Sequence, residues 1–454
     1  MKRLLALTLL LIILSAIHAQ QHGTGLIMDW KALDKIPKKA TLLTRDYTSF
    51  PKSYSLKKYC PIPDNQDIYS TCTGWATAYA GRTIVEAVRN GWTDRQKITN
   101  EAFAPLFIYY MIKDKNARGC SEGTSIEKAL SVMKEKGVVK KRSLDALCVE
   151  TVSSNMLTEA QKYRIDDYFT LFGQQHSQSD AVRVTKKALV ENCPVLVGMN
   201  IYNSFSPATG YWDGKHDGSR GNHAMCVIGY DDTKYGGAFE IMNSWGENWG
   251  NSGFIWVPYK TYSENAGWAL ELYMKPRANR FAGTLSMKLS TGQTLKTTLT
   301  TKNGFKCYKV TQSLTSGTRY RIYIGNNQPG YVYVFSADEQ KNVAVNFPTN
   351  GMSAALTYKT NTIALPSENM WLELDDTRGT DYLCILFSIY SIDTNSLLNH
   401  LKTGKGNNFY ERVQSGFSKY LVSQSQIKYS TSTMSFTASS DKAMVPLFVE
   451  FDHQ

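Results

Sequence analysis

Cysteine is scarce in this sequence, with eight residues in a chain of 454. A fold held together by a disulfide framework is therefore excluded, because such frameworks occur in short, cysteine-dense chains. Long apolar runs are also missing after the N-terminus, where no stretch reaches the ~20 residues that a membrane-spanning helix needs. There is no internal repeat or low-complexity tract. A content of 42% hydrophobic and 20% charged residues excludes a largely disordered chain.

No long run of like charge is present either, although the chain is basic. Lysine and arginine number 51 against 39 aspartates and glutamates, which gives a net charge of +12 and an isoelectric point near 9.1. The longest basic runs are residues 57–58 and 140–142. Because net charge alone says little about partners, we interpret the excess as a solvated basic surface and expect no nucleic-acid partner.

The first 19 residues have the layout of a secretory signal peptide. A basic start at residues 1–3 is followed by an apolar stretch over 4–14, and a small residue, Ala19, precedes the expected cut before Gln20. The apolar stretch is short for a membrane span. We therefore predict a signal peptide over 1–19 and a secreted or periplasmic protein without stable membrane insertion after cleavage.

The length of the chain predicts two domains, since single cores stop growing beyond ~250–300 residues. A short N-terminal segment without clear periodicity occupies residues 20–50. Residues 51–275 mix helical and strand patterns, which indicates one domain. From residue 276 onward, short β-type runs alternate with turn residues, which predicts a β-rich, sandwich-like accessory domain over 276–454.

Local patterns predict individual elements within both domains. Residues 73–90 carry an apolar face at helical spacing and are followed by Gly91, so we predict a helix there. A second helix is predicted over 125–136. Predicted strands lie at 224–229, 240–242, 254–257, 319–324, 331–335, 363–365, 371–374 and 382–387, with a helical insertion near 394–422.

Gln66 and Cys72 form a first candidate constellation, directly before the predicted helix. A cysteine in the first turn of a helix faces the positive end of the helix dipole, which favours the nucleophilic thiolate. Taken alone, Cys72 could equally be a small residue that opens an alanine-rich core helix.

His223 and Asn243 lie in two further runs, residues 221–230 and 241–254. A histidine that enters a hydrophobic strand is more often a core residue than a catalyst. The run that begins at Ile241 could be a turn rich in glycine and asparagine that two tryptophans hold in place. Neither run establishes a function by itself.

Together the three runs resemble the papain family of cysteine peptidases. That family has a glutamine six residues before the nucleophilic cysteine, an Asn-His-Ala strand and an Asn-Ser-Trp-Gly-x-x-Trp-Gly-x-x-Gly-Phe run, and this chain has all three in order. His223 follows Cys72 by 151 residues and Asn243 follows it by 171. Against a family spacing of ~130–150 residues, His223 fits and Asn243 implies a modest insertion. The resemblance covers roughly residues 50–275.

The resemblance implies an α+β fold of two subdomains, a helical half and a β-rich half, and an exported cysteine peptidase. Cys72 would form an acyl-enzyme, with His223 as general acid and base in a thiolate–imidazolium pair. Asn243 would orient the imidazole, and Gln66 would donate to the oxyanion.

Three further residues are assigned to substrate binding by the resemblance. Residues 119–123 are similar to the family's Gly-Cys-Asn-Gly-Gly substrate strand, with Gly123 where peptide backbone approaches closely. Trp245 would shield the bond between histidine and asparagine, and Asn222 adjoins His223. We expect a protein or peptide substrate, no cofactor and no metal.

The chain departs from the family pattern at several points. Tyr69 stands where a disulfide cysteine usually precedes the nucleophile, so Cys120 lacks its usual partner, and Cys148 is the proposed replacement. Thr73 and Gly74 replace the usual Trp-Ala pair. The stretch before Pro51 is far too short for the family's usual inhibitory propeptide, so we expect activity without proteolytic trimming.

The C-terminal domain resembles an uncharacterised bacterial β-domain found on exported proteins. The matching runs are residues 330–335, 347–348, 365–366, 379–381 and 387–388. We expect it either to bind or position an unknown partner or to be a structural cap. Two alternatives for the whole chain stay open: a catalytically weak binding or scaffold protein on the same fold, and a cell-wall amidase or transpeptidase that uses the same thiol chemistry.

Overall fold

The computed structural model of the chain describes residues 22–40, 50–276, 280–340, 342–349, 351–357, 361–367 and 369–454. The predicted signal peptide, residues 1–19, lies outside these ranges. Within them the chain forms two compact units: unit 1 contains residues 22–36 and 51–272, and unit 2 contains 37–40, 50 and 273–454. No helix within the described ranges is long and apolar enough to cross a bilayer.

The helical half of unit 1 is built around a continuous helical run that starts at Cys72. It consists of α-helical Cys72–Gly74, π-helical Trp75–Arg82 and α-helical Thr83–Asn90. It ends at Gly91, whose φ of 65° is the left-handed conformation that glycine adopts most readily. The helix predicted over 73–90 is thus confirmed, as is the second one, observed at Ile126–Glu135.

Most of the other α-helices of unit 1 start at recognisable caps. Asp94 accepts hydrogen bonds from the backbone N–H groups of Gln96 and Lys97, and Pro105 opens the following helix. The remaining α-helices are Trp30–Leu33, Arg95–Asn100, Pro105–Ile112, Ser154–Ala160, Gln178–Val190 and Tyr259–Asn265. Short 3-10 helices lie at Lys57–Tyr59, Lys141–Ser143, Gln161–Tyr163, Asn203–Phe205 and Lys234–Gly236.

The β-rich half of unit 1 is one sheet whose central strands are almost wholly buried. In spatial order its strands are Asp167–Phe172, Ala266–Tyr273, Val195–Tyr202, Ser219–Asp231, Ala238–Met242 and Phe254–Pro258, and Ser53–Ser55 pairs with the fourth of them. A separate two-stranded sheet joins Leu26–Ile27 to Thr124–Ser125. Unit 1 is therefore an α+β domain with a helical half and a β-rich half, and the three strands predicted in it are confirmed.

Unit 2 contains two larger sheets. One has the spatial order Asn361–Leu365, Arg319–Asn326, Arg280–Leu289, Met434–Ser439 and Ile427–Tyr429, with Leu372–Glu373 beside the second strand. The other has the order Thr297–Lys302, Phe305–Val310, Met444–His453, Gly379–Ser388, Gly330–Ala337 and Val343–Phe347, with Ala355–Leu356 beside the fifth. Four of the five strands predicted here are confirmed, and the fifth, at 371–374, shortens to two residues.

The two sheets of unit 2 pack closely against each other. The rings of Phe387 and Phe436, one from each sheet, lie 4.9 Å apart. A Cβ at Gly283 would sit 2.5 Å from the first ring and 2.7 Å from the second, so the strand needs glycine at this position. The predicted helical insertion is present as two helices, Thr394–Thr403 and Phe409–Phe417, followed by a 3-10 turn at Gln424–Gln426.

Candidate active site

Cys72 is the first residue of the long helical run and is fully buried. The backbone N–H of Ala224, the residue after His223, hydrogen-bonds to its sulfur, as do the hydroxyl and the N–H of Thr73. The start of the helix and the Ser219–Asp231 strand therefore meet at this sulfur, as the sequence predicts for Cys72 and His223.

His223 is hydrogen-bonded to Asn243, with 2.8 Å between its Nε2 and the asparagine Oδ1. That oxygen also accepts the backbone N–H of Ser244 at 2.8 Å, so the amide orientation is fixed and Nε2 must be the protonated nitrogen. The other nitrogen, Nδ1, is buried and has no hydrogen-bond partner among the described residues. It therefore carries a free lone pair, which a general base requires.

Gln66 is fully buried and is held at both ends of its side chain. Its Oε1 accepts the Ser244 hydroxyl at 2.5 Å, and its Nε2 donates to the backbone oxygens of Tyr69 and Gly23 at 2.7 and 3.1 Å. The amide donor is thus rigidly placed, as an oxyanion donor must be, but its donor capacity is already in use.

Burial controls the charge of the pair between cysteine and histidine in this state of the site. Burial raises the pKa of the Cys72 thiol to about 11, although hydrogen bonds from Ala224 and Thr73 act to lower it. Burial also lowers the pKa of His223 to about 4, although the hydrogen bond with Asn243 acts to raise it. The neutral thiol and imidazole are therefore favoured here, in contrast to the expected ion pair, because no solvent reaches the two groups.

Residues 22–28, which we call the cleft segment, run along the same site and bind to several of its residues. The Gly23 carbonyl accepts hydrogen bonds from Gln66 Nε2 and Trp245 Nε1, both at 3.1 Å, and the Gly23 N–H donates to the Asp67 oxygen at 2.9 Å. Further along, the Gly25 N–H donates to the Asn222 oxygen at 3.5 Å. We expected residues 20–50 to be too short for an inhibitory propeptide, yet seven residues are enough to cross this site.

Side chains of the cleft segment fill the spaces on either side of Gly23. The His22 ring stacks on Trp245 with 4.8 Å between centroids and an interplanar angle of 9°. The Leu26 side chain is 5% exposed, and its Cδ2 lies 2.8 Å from the position of a Cβ on Gly198. The absence of a side chain at Gly198 thus creates the apolar pocket that Leu26 occupies.

Gly123 lies where a peptide backbone approaches closely, as the sequence predicts, but that backbone belongs to the same chain. A Cβ at Gly123 would be 2.6 Å from the Gly25 oxygen, which accepts the Thr124 N–H at 2.8 Å. Leu26 then pairs in parallel with Thr124. All seven predicted site residues therefore surround one cleft: Gln66, Cys72, Gly123, Asn222, His223, Asn243 and Trp245.

The remaining cysteines differ from Cys72. Cys120 and Cys148 form a disulfide with a Cα–Cα distance of 5.7 Å, which confirms the proposed pairing. Cys226 is buried, and burial alone raises its pKa. Cys193 is partly buried.

Sequence patterns did not identify the cleft segment or Arg220, whose guanidinium donates to the His22 oxygen at 2.9 Å. The available signal is a Gly-Thr-Gly run, residues 23–25, followed by apolar residues. Close-approach glycines beside an anchor side chain are typical of backbone that lies in a cleft.

Comparison with known families agrees with the geometry. Residues 111–273 match the family described as Papain family cysteine protease, and residues 313–389 match the Domain of unknown function (DUF4384). The first match includes His223 and Asn243, and the second lies within unit 2.

Two relatives of this chain are named as a peptidase or a peptidase-like protein. An uncharacterized peptidase C1-like protein of Acanthamoeba polyphaga mimivirus is 24% identical over 255 residues, which cover 50% of this chain and 77% of that protein. Peptidase 1 of Dermatophagoides farinae is 27% identical over 30% of this chain and 41% of its own length. The chain thus spans less than half of that second relative. Among solved structures, xylellain, a cysteine protease from Xylella fastidiosa, is 22% identical with a TM-score of 0.45, over 56% of this chain and 97% of that one.

Unit 1 has the papain-like α+β fold. The chain carries a papain-family cysteine peptidase domain followed by a DUF4384 domain, and it is a cysteine-type peptidase.

Proposed function

We propose that this protein is an exported peptidase that hydrolyses peptide bonds through an acyl-enzyme on Cys72. His223 is the general base and acid, Asn243 orients its ring, and Gln66 stabilises the oxyanion. The observation that carries the proposal is the Nδ1 of His223, which is buried without a partner among the described residues while its Nε2 is fixed by Asn243.

The geometry supports a two-step reaction. The Cys72 thiol gives its proton to Nδ1 of His223 while the sulfur attacks the substrate carbonyl carbon. The Gln66 amide, together with the N–H of Cys72, stabilises the negative oxygen. The departing amine takes the proton from Nδ1, and a water molecule, deprotonated by the same nitrogen, then attacks the thioester and regenerates the thiol.

Trp245 supports the orienting bond. Its ring lies 5.0 Å from that of His223, and both side chains are buried. A hydrogen bond shielded from water is stronger, so the imidazole keeps its orientation through both steps. Asn222 and Thr124 offer backbone groups to an extended peptide, which is how the cleft segment uses them, and Gly123 leaves room for its backbone.

Export is proposed from the sequence of residues 1–19, which places the mature protein in the periplasm or outside the cell. For unit 2, the expectation of a binding or positioning role stays a prediction.

Substrate profiling tests the proposal directly. We expect the protein to cut members of a peptide library, and Cys72→Ala to cut none while retaining its circular dichroism spectrum and unfolding temperature. Cys226→Ala, which alters another buried cysteine of unit 1, should cut at the wild-type rate. If library peptides stay intact while cell-wall isopeptides are hydrolysed or exchanged, the protein is instead an amidase or transpeptidase. The same substrates should also be tested with the Leu26→Asp variant described below. If neither substrate reacts with the wild type or with this variant, the binding or scaffold alternative holds.

A further inference from the structure

We propose that the cleft segment, residues 22–28, is a tethered competitive inhibitor of the peptidase and that it yields the cleft by moving away rather than by being cut off. This inference rests on the proposed function and concerns the regulation of the same site.

The first argument is that the segment uses the groups that a substrate needs. The Gly23 oxygen accepts hydrogen bonds from the Gln66 amide and from the indole N–H of Trp245. Gly25 donates to the backbone oxygen of Asn222 and accepts from the backbone N–H of Thr124, the residue after Gly123. Substrate and segment cannot occupy these groups together, so their binding is mutually exclusive.

The second argument is the anchoring of the segment by two side chains. Leu26 fills the pocket above Gly198, and His22 lies flat on Trp245. Between them, Gly23 has no room for a side chain, because a Cβ there would overlap the backbone oxygens of Ile68 and Tyr69. This fit is that of a bound ligand.

The third argument is the tether. The segment is continuous with the helix Trp30–Leu33, and the Trp30 ring packs against Gly267, where a Cβ would lie 2.7 Å from it. A released segment therefore stays attached at a high effective concentration. Such an inhibitor multiplies the apparent KM by one plus the ratio of covered to uncovered molecules and leaves kcat at saturation unchanged.

Neighbouring residues of the segment provide a matched pair of variants. Leu26 is 5% exposed and Ile27 is 53% exposed. We expect Leu26→Asp to raise kcat/KM about tenfold or more through a lower apparent KM, since losing the burial of one leucine shifts a binding equilibrium by at least that factor. Ile27→Asp, which adds the same charge one residue away, should change kcat/KM by less than about threefold.

A second pair of variants keeps the test valid if Leu26→Asp does not fold. Gly23→Ala introduces a methyl group where backbone atoms already lie, whereas Gly173→Ala introduces one into open space. We expect Gly23→Ala, like Leu26→Asp, to accelerate alkylation of Cys72 by iodoacetamide, and Gly173→Ala to have no effect. Mass spectrometry of the active enzyme should show residues 22–28 still attached.

Three results would overturn the inference. Equal activity and alkylation rates in wild type, Leu26→Asp and Gly23→Ala would show that the segment does not inhibit. A rise in kcat at unchanged KM would exclude competition. Activity that appears only together with loss of residues 22–28 would identify a segment that must be cleaved. If all variants are folded but turn over no peptide and are not alkylated at Cys72, the proposed function itself fails.

Discussion

His223 in unit 1 and His453 in unit 2 are both buried, and each is hydrogen-bonded to a side-chain oxygen, of Asn243 and of Asp381 respectively. In unit 2 the other ring nitrogen is also bonded, with 3.0 Å between His453 Nε2 and the Ser316 hydroxyl. In unit 1 the corresponding nitrogen of His223 has no partner within the described ranges. A histidine with both nitrogens bonded cross-links its surroundings, whereas one with a free lone pair beside a cysteine can move a proton.

Cys72 of unit 1 and Cys384 of unit 2 differ in a similar way. Burial alone raises the pKa of Cys384 in unit 2. Burial also raises the pKa of Cys72, but hydrogen bonds from Ala224, from Thr73 and from the backbone of Cys72 itself oppose it. Because those donors stabilise a thiolate, Cys72 ionises more readily than Cys384 once solvent reaches the cleft.

The largest expected effect separates the two histidines. His223→Ala should lower kcat by ~10²–10⁴, the usual contribution of a general acid–base residue, with little change in unfolding temperature. His453→Ala should keep wild-type kinetics but lower the free energy of unfolding of unit 2 by ~1–3 kcal/mol, because Asp381 and Ser316 lose a partner. Steady-state kinetics and calorimetry measure both, and an equal loss of kcat in His453→Ala would remove the distinction.

The disulfide of unit 1 predicts a difference in stability between the two units. Cys120 and Cys148 close a loop with a sequence separation of 28 residues in unit 1, whereas Cys307 and Cys384 of unit 2 are free thiols. The double variant Cys120→Ser, Cys148→Ser should lower the stability of unit 1 by about 3 kcal/mol. Calorimetry should show the transition of unit 1 shifted and that of unit 2 unchanged. A shift of the unit 2 transition would mean that the units do not unfold separately.

Gln66→Ala tests the oxyanion donor. We expect kcat to fall roughly 100-fold, the lower end of the loss for one such donor. Alkylation of Cys72 should persist or accelerate, because the cleft segment also loses its bond from the Gln66 amide to Gly23. Gln424→Ala in unit 2 is the matched control and should leave kcat unchanged. Turnover of Gln66→Ala within about threefold of wild type would contradict the assigned role.

The smallest expected effect is a dependence on pH. Burial lowers the pKa of His22 below 6.5, and the Arg220 charge lowers it further, while Asp67 raises it. Its Nδ1 is buried without a partner among the described residues, and the Trp245 ring covers one face. The bound segment therefore holds fewer protons than the free one, and its binding weakens as the pH falls through about 6.5.

Kinetics at several pH values measure this effect. Between pH 7.5 and 5.5 we expect the apparent KM of wild type to fall a few-fold. His22→Phe keeps an aromatic ring on Trp245 and should lose that change, and Leu26→Asp, with its segment already released, should lack it as well. The same fall of KM in His22→Phe would assign the dependence to another group.

Sequence patterns predict those elements that are determined by residues close together in the chain. The helix over 73–90 ends where Gly91 allows the left-handed conformation, and the cluster of Cys72, His223, Asn243 and Gln66 lies in short runs of distinctive composition. The strand Met444–His453 was not predicted. It contains Pro446, a residue that normally indicates a break in a strand, yet Pro446 pairs with Leu386 in the sheet. Packing in the interior of unit 2 overrides that signal.

The cleft segment escaped prediction for a different reason. Its contacts are with residues far along the chain, such as Arg220, which lies 198 positions from His22. Nothing in its own periodicity indicates where it binds. The expectation of a free active site followed from the short length of residues 20–50, but covering a cleft needs only a few well-fitted residues.

The most direct test of this account maps the cysteines that react with an epoxysuccinyl peptide, a reagent for activated thiolates. Wild type and Leu26→Asp would be treated, digested and examined by mass spectrometry at each free cysteine. The account predicts modification of Cys72 alone, faster in Leu26→Asp, with Cys226 and Cys384 unmodified in both proteins. Modification of either of these cysteines at the rate of Cys72, or an unreactive Cys72 in folded Leu26→Asp, would contradict it.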